Sequence, residues 1–212
     1  MLPCVVSQSR SREVFLEFFG ESCRVINADL VFPVLHGKNG EDGTLQGMFE
    51  LAGIPVVGCD TLSSAICMDK ERAHKLVGLT GISVPKSVAF RHSGKKEALK
   101  KIAEKLAYPL FVKPVRAGSS FGITRIMEKT ELDAAVDYAL EHDTEVIVEE
   151  EVNGFEVGCA VLGIDALTVG RVDEIELSGG FFDYTEKYTL KSSKIYMPAR
   201  VGAEAEKQIQ EA

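Results

Sequence analysis

Long apolar runs are missing from this sequence, and none reaches the roughly 18 residues of a membrane span. Residues 1–7 hold neither the charged stretch nor the apolar stretch of an export signal. The five cysteines (Cys4, Cys23, Cys59, Cys67 and Cys159) include no C-x-x-C pair, and their spacing matches no zinc-ligand pattern. Three of them sit in apolar settings (VVGCD, AICMD, VGCAV), which reads as buried, reduced thiols and a cytoplasmic protein. Excess positive charge is lacking as well: 24 Lys and Arg stand against 32 Asp and Glu, a formal net charge of −8. That balance argues against a general nucleic-acid binder. It leaves room for a nucleotide site, where a few local cations outweigh the overall field. Internal repeats and low-complexity segments are absent too.

What is present is a globular composition, 45% apolar and 26% charged over 212 residues, enough for one large domain or two small ones. The chain is organised around residues 108–122, YPLFVKPVRAGSSFG. Leu110, Phe111 and Val112 predict a short buried strand, Arg116 to Ser120 a small-residue loop, and residues 121–126 a returning strand. Such a loop lets backbone N–H groups lie along a polyanion, with Lys113 as a point charge beside the phosphates. The alternative is an ordinary hairpin carrying a surface lysine.

In chain order, residues 29–35 (DLVFPVL) predict a buried strand with Pro33 awkwardly inside it. A glycine-rich loop over 36–43 and a helix over 44–51 follow, at the end of a strand where open α/β sheets bind ligands. Glu41 and Asp42 read first as helix-start acids meeting the macrodipole, and His36 as a turn residue. Residues 54–58 predict a strand, followed by a helix to Gly81 that Ser63 or Ser64 caps, with Lys70 in its first turns. Further helices are expected over 97–106 and, after Thr130 as cap, over 131–141. The strand over 144–151 ends in three glutamates, Glu149, Glu150 and Glu151. These either face a ligand, where a carboxylate or carbonyl accepts from an adenine amine and Glu156 from ribose hydroxyls, or form a charged edge that blocks strand pairing. Strands over 155–162 and 167–177 come next, the first expected to be buried on both faces. Residues 178–193 form a polar-aromatic loop in which Lys187 and Tyr188 bring a cation and a hydroxyl over a phosphate, or in which Phe181 and Phe182 anchor to the core. The end, AEAEKQIQEA, is helix-forming without a stop signal, and both termini read as those of an interior piece.

The segments VLHGKNGEDGTLQG, SSAICMDK, YPLFVKPVRAGSSFG, VIVEE with GFEVGCAVLG, and FFDYTEKY stand in an order that resembles D-alanine-D-alanine ligases. Within that family the chain is most similar to the vancomycin-resistance branch, in particular its D-alanine-D-serine ligases. The resemblance implies an α/β protein with an incomplete ATP-grasp fold, preceded by the tail of a Rossmann-like domain. Its divisions would fall at 1–58, 59–149 and 150–212. It further implies that Lys70 and Lys113 hold the ATP phosphates, Glu149, Glu150, Glu151 and Val152 the adenine, and Glu156 the ribose. Ser119 and Ser120 would belong to the loop over the phosphates. Lys187 would approach the γ-phosphate, Tyr188 would close the second-substrate pocket, and His36 would face the acceptor. ATP, D-alanine and D-serine are the implied substrates and a homodimer the implied assembly. The implied metal is Mg2+ (or Mn2+).

Some family motifs are not found. The G-G-x-S-x-E segment is absent, as are the downstream arginine-and-aspartate and E-x-N segments that carry the metal ligands. Asp173 and Glu174 therefore read as strand residues, and the chain as a nucleotide cradle inactive by itself. The lysine-tyrosine pair in EKY argues against an ester product.

Overall fold

The structure, a computed structural model, describes residues 4–7, 13–20, 22–177 and 193–212. The first part of the chain holds β1 (Cys4–Val6), β2 (Glu13–Phe19), β3 (Ser22–Asn27), α1 (Thr44–Ala52), α2 (Thr61–Met68) and α3 (Lys70–Leu79). The middle holds β4 (Ser87–Arg91), α4 (Lys95–Lys105), β5 (Leu110–Pro114), β6 (Thr124–Ile126), α5 (Leu132–Leu140) and β7 (Glu145–Glu150). Then come β8 (Glu156–Leu162), β9 (Thr168–Leu177), β10 (Ser193–Tyr196) and α6 (Ala203–Glu211). The strands form three antiparallel sheets, ordered β1-β2-β3, β4-β7-β5-β6 and β10-β9-β8.

The β4-β7-β5-β6 sheet carries the main core. Successive side chains of a strand point to opposite faces, so Leu110 and Val112 of β5 share a face with Val146 and Val148 of β7. That face packs on Ile102 of α4 and on Leu132, Ala135, Val136 and Ala139 of α5, all buried. The register Phe111↔Glu149 and Lys113↔Ile147 puts the polar alternates, Lys113, Glu145 and Glu149, on the other face. The N-terminal part of α3 lies over that face. The Lys70 amide donates to the Val115 carbonyl at 3.2 Å, and Arg72 and His74 approach Glu145 and Glu149 at 4.0 and 3.9 Å.

Helices α1, α4, α5 and α6 lie where the periodicity predicts them. Five expectations change, the first at the cysteines expected to be buried: Cys59 and Cys67 are exposed and Cys159 is half-buried. Residues 29–35 are not a buried strand: only Val31 pairs, in a parallel bridge to Val56, and Phe32 and Val34 are 70% and 76% exposed. Pro33 has no N–H to extend the ladder, and residues 54–58 likewise contribute only Val56. The long helix to Gly81 is two helices. Asp60 caps α2 by accepting from the Ser63 amide at 2.7 Å, and Asp69 breaks the run and caps α3 by accepting from the Arg72 amide at 3.0 Å. Ser63 and Ser64 therefore lie inside α2 rather than capping it. Similarly Thr130 does not cap α5 but lies inside a single 3-10 turn, Lys129–Glu131, which leads into it and which Glu128 caps in a reciprocal box with Glu131. Finally β8 is exposed along most of its length instead of buried on both faces, because no described helix packs on it. The β1-β2-β3 sheet has no counterpart in the sequence reading.

Candidate functional site

The connection between β5 and β6 is the structural centre of the site. Pairing of Leu110 with Ile126 and of Val112 with Thr124 leaves residues 115–123 as a loop, so the returning strand begins later than expected. Ser119 and Ser120 both take left-handed backbone (φ 52° and 60°), which L-residues adopt at a cost. Gly118 meets the glycine-rich loop over 37–43: a Cβ on it would lie 2.5 Å from Gly37 Cα, so only glycine permits the contact. Glu41 holds that loop rather than the α1 start, whereas Asp42 both holds the loop and meets the first amide of α1, as expected of a helix-start acid. The Gly37 amide donates to Glu41 Oε2 at 2.5 Å, and the Asn39 and Thr44 amides to Asp42 at 2.8 and 3.0 Å. Burial pushes the Asp42 carboxyl up, but these bonds outweigh it and hold it below the usual carboxylate range.

Lys70 is laid along the base of the β5–β6 loop, its Nζ donating to the carbonyls of Pro114, Val115 and Ala117 at 3.3, 3.4 and 2.9 Å. Lys70, Ser119 and Ser120 line a cavity of about 560 Å3 together with Glu41, Cys67 and Gly118. His36 is exposed and lies outside the wall of this cavity, although its neighbour Gly37 touches Gly118.

A second cavity, of about 810 Å3, gathers Lys113, Glu149, Glu150, Glu151, Val152 and Glu156. Lys113 pairs with Glu149 and sits 5.2 Å above the Phe111 ring. Glu149 is only 5% exposed, and its Oε2 makes no hydrogen bond. Its neighbours are satisfied outward. Glu150 accepts from the Ala107 amide at 2.8 Å with Lys86 at 3.7 Å, and Glu151 takes both prongs of Arg125 at 2.6 and 3.1 Å. Three acids at a strand end are thus each matched by a cation, and the buried Glu149 Oε2 has His74 Nε2 3.9 Å away.

The sequence reading missed the far wall, formed by Glu174, Glu176 and Arg200. Arg200 donates to Glu174 through its backbone amide at 2.9 Å and its guanidinium at 2.5 Å, reaches Glu176 at 2.7 Å, and stacks 3.9 Å from the Tyr196 ring centroid. Those bonds raise the Arg200 pKa and lower that of Glu174. Alternation along β9 marks residue 174 as inward, but nothing local marks Arg200, whose partner lies 26 positions away.

The predicted residues therefore fall into two groups on either side of the β5 end. Lys187 and Tyr188 lie outside the described residues. ATP fits the larger cavity on two counts, a buried carboxylate oxygen without a hydrogen bond and the Lys113 ammonium beside it. A metal ion finds no matching donor set: among the described residues no group of three or more His, Cys, Asp or Glu is placed to hold one. No described helix is long and apolar enough to cross a membrane.

A family model described as D-ala D-ala ligase N-terminus matches residues 6–59, and one described as D-ala D-ala ligase C-terminus matches residues 76–212. The crystal structure of VanG D-Ala:D-Ser ligase from Enterococcus faecalis superposes with a TM-score of 0.87 at 76% identity, covering 99% of this chain and 60% of that one. Vancomycin B-type resistance protein VanB of Enterococcus faecalis is 44% identical over 215 residues, 99% of this chain and 61% of its own length. A D-alanine--D-alanine ligase of Caldicellulosiruptor bescii is 41% identical over 214 residues, 99% of this chain and 59% of its own length. The chain thus spans about three fifths of the length of these relatives. The likeness bears out the α/β, ATP-grasp expectation for the fold.

Proposed function

Because the chain belongs to the D-alanine-D-alanine ligase family, we propose that its whole protein is a cytoplasmic, homodimeric ATP-dependent ligase joining D-alanine to D-serine. Its product would enter peptidoglycan precursors of low vancomycin affinity. The observation that carries the reading is the clustering of Lys113, Glu149 to Val152 and Glu156 around one cavity. Serine as acceptor is supported by the 76% identity to a structure titled D-Ala:D-Ser ligase. The second reading, D-alanine as acceptor, is favoured by the 41% identity to a D-alanine--D-alanine ligase.

In this reading adenine lies against Glu149 to Val152 and ribose against Glu156, while Lys113 and Lys70 carry the phosphates from the two sides of β5. The Ser119–Ser120 loop lies over the phosphates, and His36 faces the acceptor. The D-alanine carboxylate oxygen attacks the γ-phosphorus, the bridging P–O bond breaks, and ADP leaves with an acyl phosphate formed. The amine of the second amino acid then attacks the acyl carbon, phosphate departs, and the amine loses a proton. Bringing a carboxylate to a triphosphate gathers several negative charges, which is why cations must flank the loop. A magnesium ion, as the family resemblance implies, would add to that neutralisation through groups outside those described. The divisions at 58 and 149 and the absence of turnover by this chain alone belong to the same proposal.

Calorimetric titration with a non-hydrolysable ATP analogue tests the site. Lys113→Ala should weaken binding by about tenfold or more, as loss of a charge-assisted contact implies. Unchanged affinity would remove the assignment. Incubating the chain with ATP, D-alanine and D-serine should release no phosphate above background, and the whole protein with each acceptor in turn decides between serine and alanine.

A further inference from the structure

We infer that the four-residue turn over 141–144, between α5 and β7, is the platform that positions the phosphate-side loop, with Asp143 as its positioning residue. The inference rests on the nucleotide reading above only for what that loop touches. Asp143 lies at neither cavity wall that holds the predicted nucleotide residues.

Both ends of the loop rest on this turn. At the entry, the Arg116 amide donates to Asp143 Oδ2 at 2.8 Å, and its guanidinium donates to the same carboxylate at 3.2 and 2.8 Å. The guanidinium also reaches Thr144 Oγ1 at 3.2 Å and Glu145 at 3.3 Å. The Asp143 carboxylate is well shielded, at 9% side-chain exposure, and closes its own turn by accepting from the Thr144 amide at 2.6 Å. At the exit, Gly122 packs so closely on His142 that a Cβ would lie 2.6 Å from its Cδ2, and 2.7 Å from Pro114 Cγ. Phe121 stands 6.5 Å from the His142 ring, which in turn meets Tyr138 edge-on at 5.0 Å.

Between these two anchors sit Ser119 and Ser120 in left-handed backbone. Consecutive non-glycine residues hold such angles only where their surroundings over-determine them. A bidentate arginine–carboxylate pair fixes orientation as well as distance, so the Arg116 anchor sets the direction in which the loop amides point. Loosening it lets residues 119 and 120 relax toward ordinary angles and re-aims those amides. The consequence is specific: contacts to phosphates suffer, contacts to the nucleoside do not.

The test uses the full chain with two variants, Asp143→Asn and Arg116→Lys. The second keeps the charge, loses the fork, and sits on a partly exposed side chain, so a folding failure of the first does not end the experiment. In the absence of nucleotide, amide hydrogen exchange over 117–122 should accelerate about tenfold, as expected when one charge-assisted bond is lost, with residues 146–148 of β7 unchanged. ATP affinity should fall by a similar factor while adenosine affinity holds within about twofold. A merely structural defect would move both ligands together. Loop exchange unchanged in both variants overturns the inference. So does faster exchange with intact ATP affinity, provided Lys113→Ala weakens ATP. If Lys113→Ala leaves ATP binding alone, the nucleotide reading fails, and the exchange measurement still decides whether the turn holds the loop.

Discussion

Strands β7 and β8 are neighbours in the chain and opposites in the fold. The first is buried over five of its six residues, the second exposed over most of its length. The difference lies in what covers each sheet. The β4-β7-β5-β6 sheet has α4 and α5 on one face and α3, with its arginine and histidine, on the other. The β10-β9-β8 sheet has only α6, packed against β9, among the described elements. Leu162, Ile164 and Leu167 at the β8–β9 turn stand open to solvent. Strand composition is thus a poor guide to burial: β7 ends in glutamates and lies inside, while β8 reads apolar and lies outside.

The comparison breaks most directly at the core. Ile102→Ala removes a fully buried side chain from the α4 contact and should cost about 2–5 kcal/mol, read from the urea midpoint. Leu162→Ala, at 72% exposure, should shift it by no more than about 0.5 kcal/mol. Equal losses would mean that the two sheets are stabilised alike.

A second contrast is between ion pairs. Lys113–Glu149 has side chains 20% and 7% exposed, whereas Arg171–Glu206 is open on the arginine side. Lys113→Ala leaves a carboxylate buried without its cation, and a loss of about 3 kcal/mol is expected. Adding Glu149→Gln should recover much of that, since a neutral amide needs no counter-charge. Arg171→Ala should leave the midpoint close to the parent value, because an exposed pair contributes little.

The same distinction explains how much the sequence disclosed. The cleft group from Glu149 to Glu156 and the β5 lysine were legible because each depends on residues close together along one strand end. Helices α1, α4 and α5 were legible from the spacing of their apolar positions. The break at Asp69 had a local signal that the reading passed over, an aspartate accepting from the amide three residues on, and the Lys70 amide meeting Val115 reinforces it from 45 positions away. Residues 29–35 misled because apolar content predicts burial, whereas Pro33 and a single bridge to Val56 leave Phe32 and Val34 outside. Arg200 was invisible because its meaning comes from a distant partner, Glu174. Asp143 reads as an ordinary loop acid until Arg116 is seen against it.

The smallest effect expected is on acid stability. Burial pushes the Asp143 carboxyl up, but the Arg116 side chain and amide outweigh it, so its pKa in the folded chain lies below the ordinary aspartate value. A depressed carboxylate contributes stability that is fully present above its unfolded pKa, about 3.9, and is lost as pH falls from there through the folded value. Urea midpoints measured from pH 6 down to pH 3 should therefore fall less steeply below about pH 4 in Asp143→Asn than in the parent chain, with the two curves parallel above that. If Asp143→Asn left the acid limb as steep as in the parent chain, the shielded Arg116–Asp143 pair would not be what stabilises the folded chain there, and the contrast between buried and open ion pairs would lose its physical basis.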